Sequence, residues 1–546
     1  MRVVSRETAL IVFLFLTRKR RPLILHLVVI DPRSQKEIVG TNLAPTTDAK
    51  SRLTTWHRYP TVYEINTWIW LFELSKKYER AVTLSLVPEA EWDALAAYGF
   101  EAVWLMGVWA RSPAGIAIAN QNHSLVDDFR RALPDFLPED DQGSAYCIRR
   151  YVVDSHLGGP ESLAVARREL SKRGMKLILD YVPNHVALDH PWVVDHPEYF
   201  ILGSHDAEHD NTSYFEIGGT FYARGRDPYF PPWPDVLQLN AFAPGLRQAA
   251  MRTVSSIAEQ CDGIRCDMAM LFLNEIFERT WGERAGPVPA TEYWTEIISA
   301  TKRRFPAFLY IAEAYWDTEW RLQQLGFDFC YDKRLYDRLE HNNAASIRQH
   351  LRADLSYQGR LLRFTENHDE PRAAAVFLPA KQRAAALIVA TLPGLRLFHE
   401  GQFEGRKVRP PVFIGRRPDE AIDLELQRFY KSLLKAIDKP AFRDGQWSLC
   451  SRTGWPDNAT FQNLLGWSWL KDDERYLVIV NFSDSPSQAR VQIPWASAED
   501  GDWQLIDTIS GTIYARPGEE MESPGLFVDL GPWAFHFFEC RRAQPA

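Results

Sequence analysis

Four short segments of the chain combine carboxylates with imidazole or guanidinium groups. They are Asp180-Tyr181-Val182-Pro183-Asn184-His185, Gly263-Ile264-Arg265-Cys266-Asp267, Ala312-Glu313-Ala314 and Glu366-Asn367-His368-Asp369. Each lies at the carboxyl end of an apolar run that reads as a strand. Asp267, Glu313 and Asp369, gathered beside Arg265, would repel one another, a cost that a fold carries where chemistry uses it. Breaking a glycosidic bond is such chemistry. One carboxylic acid protonates the departing oxygen, and a carboxylate attacks or shields the positive charge growing at the anomeric carbon. In a retaining enzyme the two carboxyls stand ~5–5.5 Å apart, and closeness lifts one pKa so that the group is protonated near neutrality. Taken singly, a strand-end carboxylate can do no more than cap the next helix. Three of them, with Arg265, His185 and His368, call for more than capping.

Such residues meet only if a fold turns distant strand ends toward one mouth. From about residue 60 the sequence alternates short apolar strands with helical patterns, the pattern of a parallel α/β fold. Eight strands are expected, beginning at Val62, Ala102, Leu177, Gly263, Leu309, Phe327, Leu361 and Leu395. Between them, residues 89–100 put Trp92, Leu95 and Ala96 on one helix face, with Gly99 placed to end the helix. Residues 161–174 do the same with Leu163, Ala166 and Leu170. Eight strand–helix units predict a (β/α)8 TIM barrel. The longest gap follows the third strand. There, residues 186–240 hold many Pro, Gly, His, Asp and aromatic residues with little periodicity, predicting an irregular subdomain over the mouth. After residue 440 the pattern becomes alternating apolar and polar. Runs at 463–470, 475–482, 488–493, 503–509 and 527–540 predict a C-terminal antiparallel β-sandwich. The expected organisation is thus an extension over 1–55, a catalytic barrel over 56–440 and a sandwich over 441–546.

Together, in this order, the four segments resemble the characteristic segments of the α-amylase superfamily (glycoside hydrolase family 13). Pro234–Asn240 (PDVLQLN) resembles that family's additional segment near the end of its inserted subdomain, and GSAY at 143–146 the stretch leading into its third strand. The resemblance covers roughly residues 58–440. It implies Asp267 as a nucleophile forming a covalent glycosyl intermediate, Glu313 as general acid and then base, and Asp369 as the holder of sugar hydroxyls in the −1 subsite. It also implies that Arg265 keeps Asp267 ionised, that His185 and His368 donate to sugar hydroxyls, and that Asp180 and Tyr63 complete the pocket, Tyr63 by stacking. For Asp180 a purely supporting hydrogen-bond role stands beside direct sugar contact. Asn184 resembles a calcium ligand in many members. The reaction itself requires no cofactor, calcium is an option, and the remaining ligands are not identifiable in the insert. The substrate implied is an α-glucosidic oligosaccharide or polysaccharide, with linkage, chain length and endo or exo attack left open. A glucosyl-transferring or isomerising enzyme of the same superfamily is the alternative, and a non-catalytic sugar-binding barrel a second one.

Composition sets outer bounds. The 546 residues exceed a single average domain, and 46% hydrophobic with 25% charged content is that of an ordinary globular protein. A net charge of −8 argues against a nucleic-acid partner, since phosphate binding needs clustered bases. Nineteen Trp and twenty Tyr offer flat faces for sugar rings or simply fill a large core. Trp104, Trp109, Trp233 and Trp316 adjoin the four segments. The six cysteines form no CxxC pair, which fits a reducing compartment better than a zinc site. An apolar run at 9–16 is followed by Thr17-Arg18-Lys19-Arg20-Arg21 where a cleavage site would stand. A second run at 23–30 is also too short to span a bilayer. A cytoplasmic protein without a membrane partner is therefore expected, with secretion the alternative. The acidic and imidazole residues at 205–210 read as a solvated loop rather than a metal site. Oligomeric state is not encoded in any of these patterns.

Overall fold

The computed structural model describes residues 56–203, 210, 212–498 and 501–543. The extension over 1–55, with its apolar and basic runs, and residues 205–209 of the acidic and imidazole loop lie outside the described residues.

Eight parallel strands close into a barrel. They are β1 Thr61–Asn66, β2 Ala102–Met106, β3 Lys176–Tyr181, β4 Gly263–Cys266, β5 Leu309–Ala312, β6 Phe329–Tyr331, β7 Leu361–Arg363 and β8 Leu395–His399. Their order round the barrel is β1-β8-β7-β6-β5-β4-β3-β2, closing back on β1. The strands are buried on both faces, which is why they read as continuous apolar runs rather than alternating ones. Alternation still sorts them. Val62, Trp104, Ile178, Ile311 and Leu362 fill the interior, while Tyr63, Val103, Leu179 and Ile264 pack outward against the helices. The expected strands match these eight, each starting within two residues of its expected position, and the ladders of β4 and β5 end before the acidic residues of their segments. Asp267 and Glu313 thus leave the ladder to enter the mouth.

The helices between strands bury the predicted faces. Glu89–Ala96 buries Trp92, and Gly99 beyond it takes φ +79, the left-handed turn that only glycine adopts without strain. The insert after β3 is built as expected from short pieces: His185–Ala187 pairs antiparallel with Val236–Gln238, and Tyr214–Ile217 with Thr220–Ala223. A second excursion, after β2, was not anticipated. Trp109–Arg111 pairs with Ile148–Val153, and helices Pro113–Gln121 and His123–Ala132 lie between them, started by the Ser112 and Asn122 side chains.

Two antiparallel sheets follow the barrel. Their strands are β9 Gln446–Leu449, β10 Ser451–Thr453, β11 Leu464–Lys471, β12 Glu474–Asn481, β13 Ser487–Gln492, β14 Asp502–Asp507, β15 Ile513–Pro517, β16 Leu526–Leu530 and β17 Phe535–Arg542. The larger sheet runs β9-β11-β12-β17-β14-β15 and the smaller β10-β13-β16. Leu477, Ile479, Val491, Trp503 and Val528 interdigitate between them. The single run expected over 527–540 is in fact β16 and β17, one in each sheet. Pro532 brings no N–H and Trp533 adopts φ +54, so the ladder breaks there and the chain crosses the sandwich. On β8, fully buried Arg396 donates to the carbonyls of Tyr59, Leu392 and Phe442. That side chain joins the barrel's closing seam to the chain entering the sandwich.

Among the described residues no helix is long and apolar enough to cross a membrane. All six cysteines are free and buried.

Candidate active site

Along β4, Ile264 and Cys266 pack outward, so Arg265 and, just past the strand, Asp267 face the barrel's interior and mouth. Arg265 is fully buried and is the hub of the site. Its Nη1 donates to Asp267 Oδ1 at 2.6 Å, and its Nη2 lies 2.7 Å from Glu313 Oε2. The second contact is an ion pair by distance but not aligned as a hydrogen bond. Asp180 and Asp369 lie further out, each 3.9 Å from the guanidinium. Rings of Tyr146, Trp104 and Tyr331 surround it at 5.2, 5.5 and 5.7 Å.

Glu313 stands at the end of β5, where two donors hold it. The backbone N–H of Met268 donates to Oε2 at 2.6 Å and the Tyr315 hydroxyl to Oε1 at 2.9 Å. Met268 takes φ +43, a left-handed conformation that a non-glycine residue adopts at a cost of ~1–3 kcal/mol. The turn places its N–H on Glu313 directly after Asp267. Burial, reinforced by the Asp267 and Asp369 carboxylates and opposed by Arg265, pushes the Glu313 carboxyl up to about 7. Burial raises Asp267 as well, against the pull of Arg265. Asp369 goes the other way. Partial loss of solvent works against it, though its side chain stays open to the mouth, and the charges of His368 and Arg265 hold its carboxyl well below the usual range. The three carboxylates thus occupy one site with different proton affinities.

His368 lies between Asp369, 2.9 Å from Nε2, and fully buried Glu64, which meets Nδ1. Burial disfavours its charge, yet Asp369 and Glu64 raise its pKa well above the ordinary histidine value, so it is an imidazolium. The Tyr146 hydroxyl also reaches Nε2, at 2.6 Å. His185 behaves oppositely: burial pushes it down to about 4, and as a neutral ring it packs 5.1 Å from Trp233. Asp180 is enclosed, with Trp104 Nε1 and the Gly107 N–H donating to Oδ2 at 3.2 and 3.3 Å. Burial lifts its carboxyl to about 6. It stands 3.9 Å from the Arg265 guanidinium and is not among the residues that line the cleft over the site.

A cleft of about 400 Å³ opens over these groups, lined by Asp267, Glu313, Asp369, His185, Tyr146, Tyr315 and Trp233 among others. One sequence assignment is overturned. Tyr63 does not line the cleft. It points outward from β1 into a cluster with Phe100 at 4.8 Å and Phe403 at 5.6 Å. Strand alternation is the reason: Val62 and Glu64 face inward, so Tyr63 cannot. Tyr146, from the GSAY segment, supplies the aromatic face instead. Glu64, Tyr315 and Tyr331 were missed too; for Glu64 the signal was present in the inward register of Val62. Of the tryptophans, Trp104 and Trp109 are buried supports of Asp180, Trp233 lines the cleft, and exposed Trp316 is not among the lining residues but packs edge-on against Tyr229, 4.8 Å away.

Asn184 is held in an amide pair. Gln238 Nε2 donates to its side-chain and backbone oxygens at 2.9 and 3.0 Å, and Asn184 Nδ2 returns a bond to Gln238 Oε1 at 3.2 Å. Among the described residues no group of three or more His, Cys, Asp or Glu side chains is placed to hold a metal ion. In the loop at 205–210, the described Asp210 accepts from the Thr212 and Ser213 N–H groups, as a turn cap does.

Removing the Glu64 carboxylate should loosen His368 and, through it, Asp369. Glu64→Leu is expected to lower kcat/KM about a hundredfold, the scale of a misplacement near 1 Å. Glu64→Gln, which keeps an acceptor for Nδ1, should recover most of it. Equal losses in both variants would refute this positioning role.

No protein-family model matches the chain. It is 24% identical over 478 residues to the alpha-amylase MalA of Haloarcula japonica, covering 85% of this chain and 60% of that protein. It is 22% identical over 295 residues to alpha-amylase 3 of Dictyoglomus thermophilum, covering 50% of this chain and 54% of the relative. The chain therefore spans less than two thirds of the length of these curated relatives. The crystal structure of a maltogenic alpha-amylase, AmyB from Thermotoga neapolitana, shares the fold with a TM-score of 0.64 at 18% identity, over 89% of this chain and 99% of that one.

Proposed function

We propose that this chain, which resembles the α-amylase superfamily in sequence and fold, is a retaining glycoside hydrolase acting on α-glucosidic bonds of oligosaccharides or polysaccharides. The observation that carries the reading is the Arg265 fork, whose two terminal nitrogens contact Asp267 and Glu313 at 2.6 and 2.7 Å. One guanidinium gripping both carboxyls suits the short spacing of ~5 Å that double displacement needs.

In this mechanism the Asp267 carboxylate attacks C1 of the sugar. Glu313 gives its proton to the glycosidic oxygen, which departs as an alcohol. Water then attacks C1, passing a proton to Glu313 and releasing the Asp267 carboxylate. Arg265 keeps Asp267 ionised despite burial, and the Glu313 carboxyl, up to about 7, is protonated near neutrality. Asp369 and cationic His368 bind hydroxyls of the sugar, neutral His185 accepts or donates beside them, and Tyr146 stacks on the ring. Six buried thiols favour a reducing, cytoplasmic setting for this activity.

Product stereochemistry tests the mechanism. Proton NMR of fresh hydrolysate from an α-linked oligosaccharide should show the α-anomer first, with β appearing only by mutarotation. An initial β-anomer would overturn double displacement. Longer or isomeric sugars in place of shorter ones would instead favour the transferring alternative.

A further inference from the structure

Two loops of the barrel mouth are fastened together on the side away from Glu313. One is the excursion after β2, the other the segment at 405–423 after β8. Gln142 N–H donates to Phe413 O at 2.8 Å, Ala145 N–H to Val412 O at 3.2 Å and Gly415 N–H to Asp140 O at 2.9 Å. Arg416 reinforces the join, with Nε 2.6 Å from Asp140 Oδ1 and Nη1 3.1 Å from Asp135. Beneath it Phe129, Leu133 and Ile414 form a dry knot, with Leu125 and Phe413 packed on its edge. Leu125, Val412 and Phe413 face the cleft from this knot.

The position of this wall relative to the chemistry decides its consequence. In the strand order β1-β8-β7-β6-β5-β4-β3-β2, β5 lies diametrically opposite β1. The loops from β2 and β8 therefore meet over β1, across the mouth from Glu313. An acid must stand beside the oxygen it protonates. The leaving part of the substrate then lies on the Glu313 side, and the non-reducing part of the bound sugar points at the wall. We propose that the joined loops block the cleft beyond one end of the chain, so that the enzyme removes residues from non-reducing termini and cannot bind the interior of a glucan. This rests on the glycosidase reading above and adds the class of substrate end that it takes.

The test compares two linear α-1,4-glucan oligomers with the wild-type protein. One has a free non-reducing end, and in the other the terminal O4 and O6 are tied in a benzylidene acetal. The free chain should shorten stepwise with a single small product, and the tied chain should resist. Cleavage of the tied chain at the rate of the free one would overturn the proposal. Inertness of both would count against the glycosidase reading itself, and this inference would fall with it. The double substitution Leu125→Ala and Phe413→Ala should admit the tied chain and give a ladder of fragments. If that protein still shortens the free chain and still leaves the tied one intact, these side chains do not form the barrier and the assignment fails.

Discussion

Asp267→Ala is expected to reduce turnover by ~10⁴-fold or more while leaving the protein folded, the scale seen when a nucleophile is deleted from a catalytic group that acts as a unit. The fold should persist, because two effects of removing Asp267 oppose each other. Burial raises its pKa, and an acid whose pKa is raised on folding subtracts stability at every pH above its unfolded value. Against this, Arg265 loses the acceptor of its Nη1, Asp267 Oδ1 at 2.6 Å, and retains Glu313 only as an unaligned neighbour. Melting followed by circular dichroism should still show a cooperative transition, with activity measured as reducing ends released. Azide added to this variant can occupy the space of the lost carboxylate and attack C1 directly, giving a β-glycosyl azide. A variant that still hydrolyses at the wild-type rate would remove Asp267 from the mechanism.

Glu313→Gln should have the next largest effect, and a different signature. Without a proton donor, cleavage of ordinary sugar leaving groups is expected to fall by ~10²–10⁴-fold. Glycosyl fluorides, whose leaving group needs little help, should still form the intermediate. Azide should then release it as the α-glycosyl azide, the opposite anomer to that from Asp267→Ala. The wild-type pH profile follows from the same group. Glu313 is neutral below about 7, so kcat/KM should decline as pH rises through about 7, and the raised Asp267 should set an acidic limb above the ordinary carboxylate range. The alkaline limb should be absent from Glu313→Gln acting on the fluoride. Its persistence there would assign the titration to another group.

The sequence made the barrel and the three carboxylates legible for one physical reason. A strand buried on both faces must be apolar throughout, so charged residues at its end are conspicuous. Asp267, Glu313, Asp369 and Arg265 all stand out in this way. What the sequence concealed is which way a residue faces inside such a run. Tyr63 and Glu64 are neighbours in an uninterrupted apolar context, and no alternation marks the inward one; only the register with Val62 settles it. The excursion after β2 was obscured differently. Its two helices are short and owe their stability to the knot with Ile414, nearly three hundred residues away, a contact that local periodicity does not express. Asn184 illustrates the limit of resemblance. Its own segment resembles the family's, but the amide pair it forms with Gln238, far along the chain, is not visible in that segment.

Arg396 gives the architecture a property beyond the site. A guanidinium with no access to water cannot find substitute partners for the carbonyls of Tyr59, Leu392 and Phe442 if any one of them moves away. The start of the first strand, the approach to the last and the entrance to the sandwich must therefore part at the same moment. Heat should meet them as one cooperative block, with the trailing sheets acting as the latch on the cylinder rather than as cargo behind it.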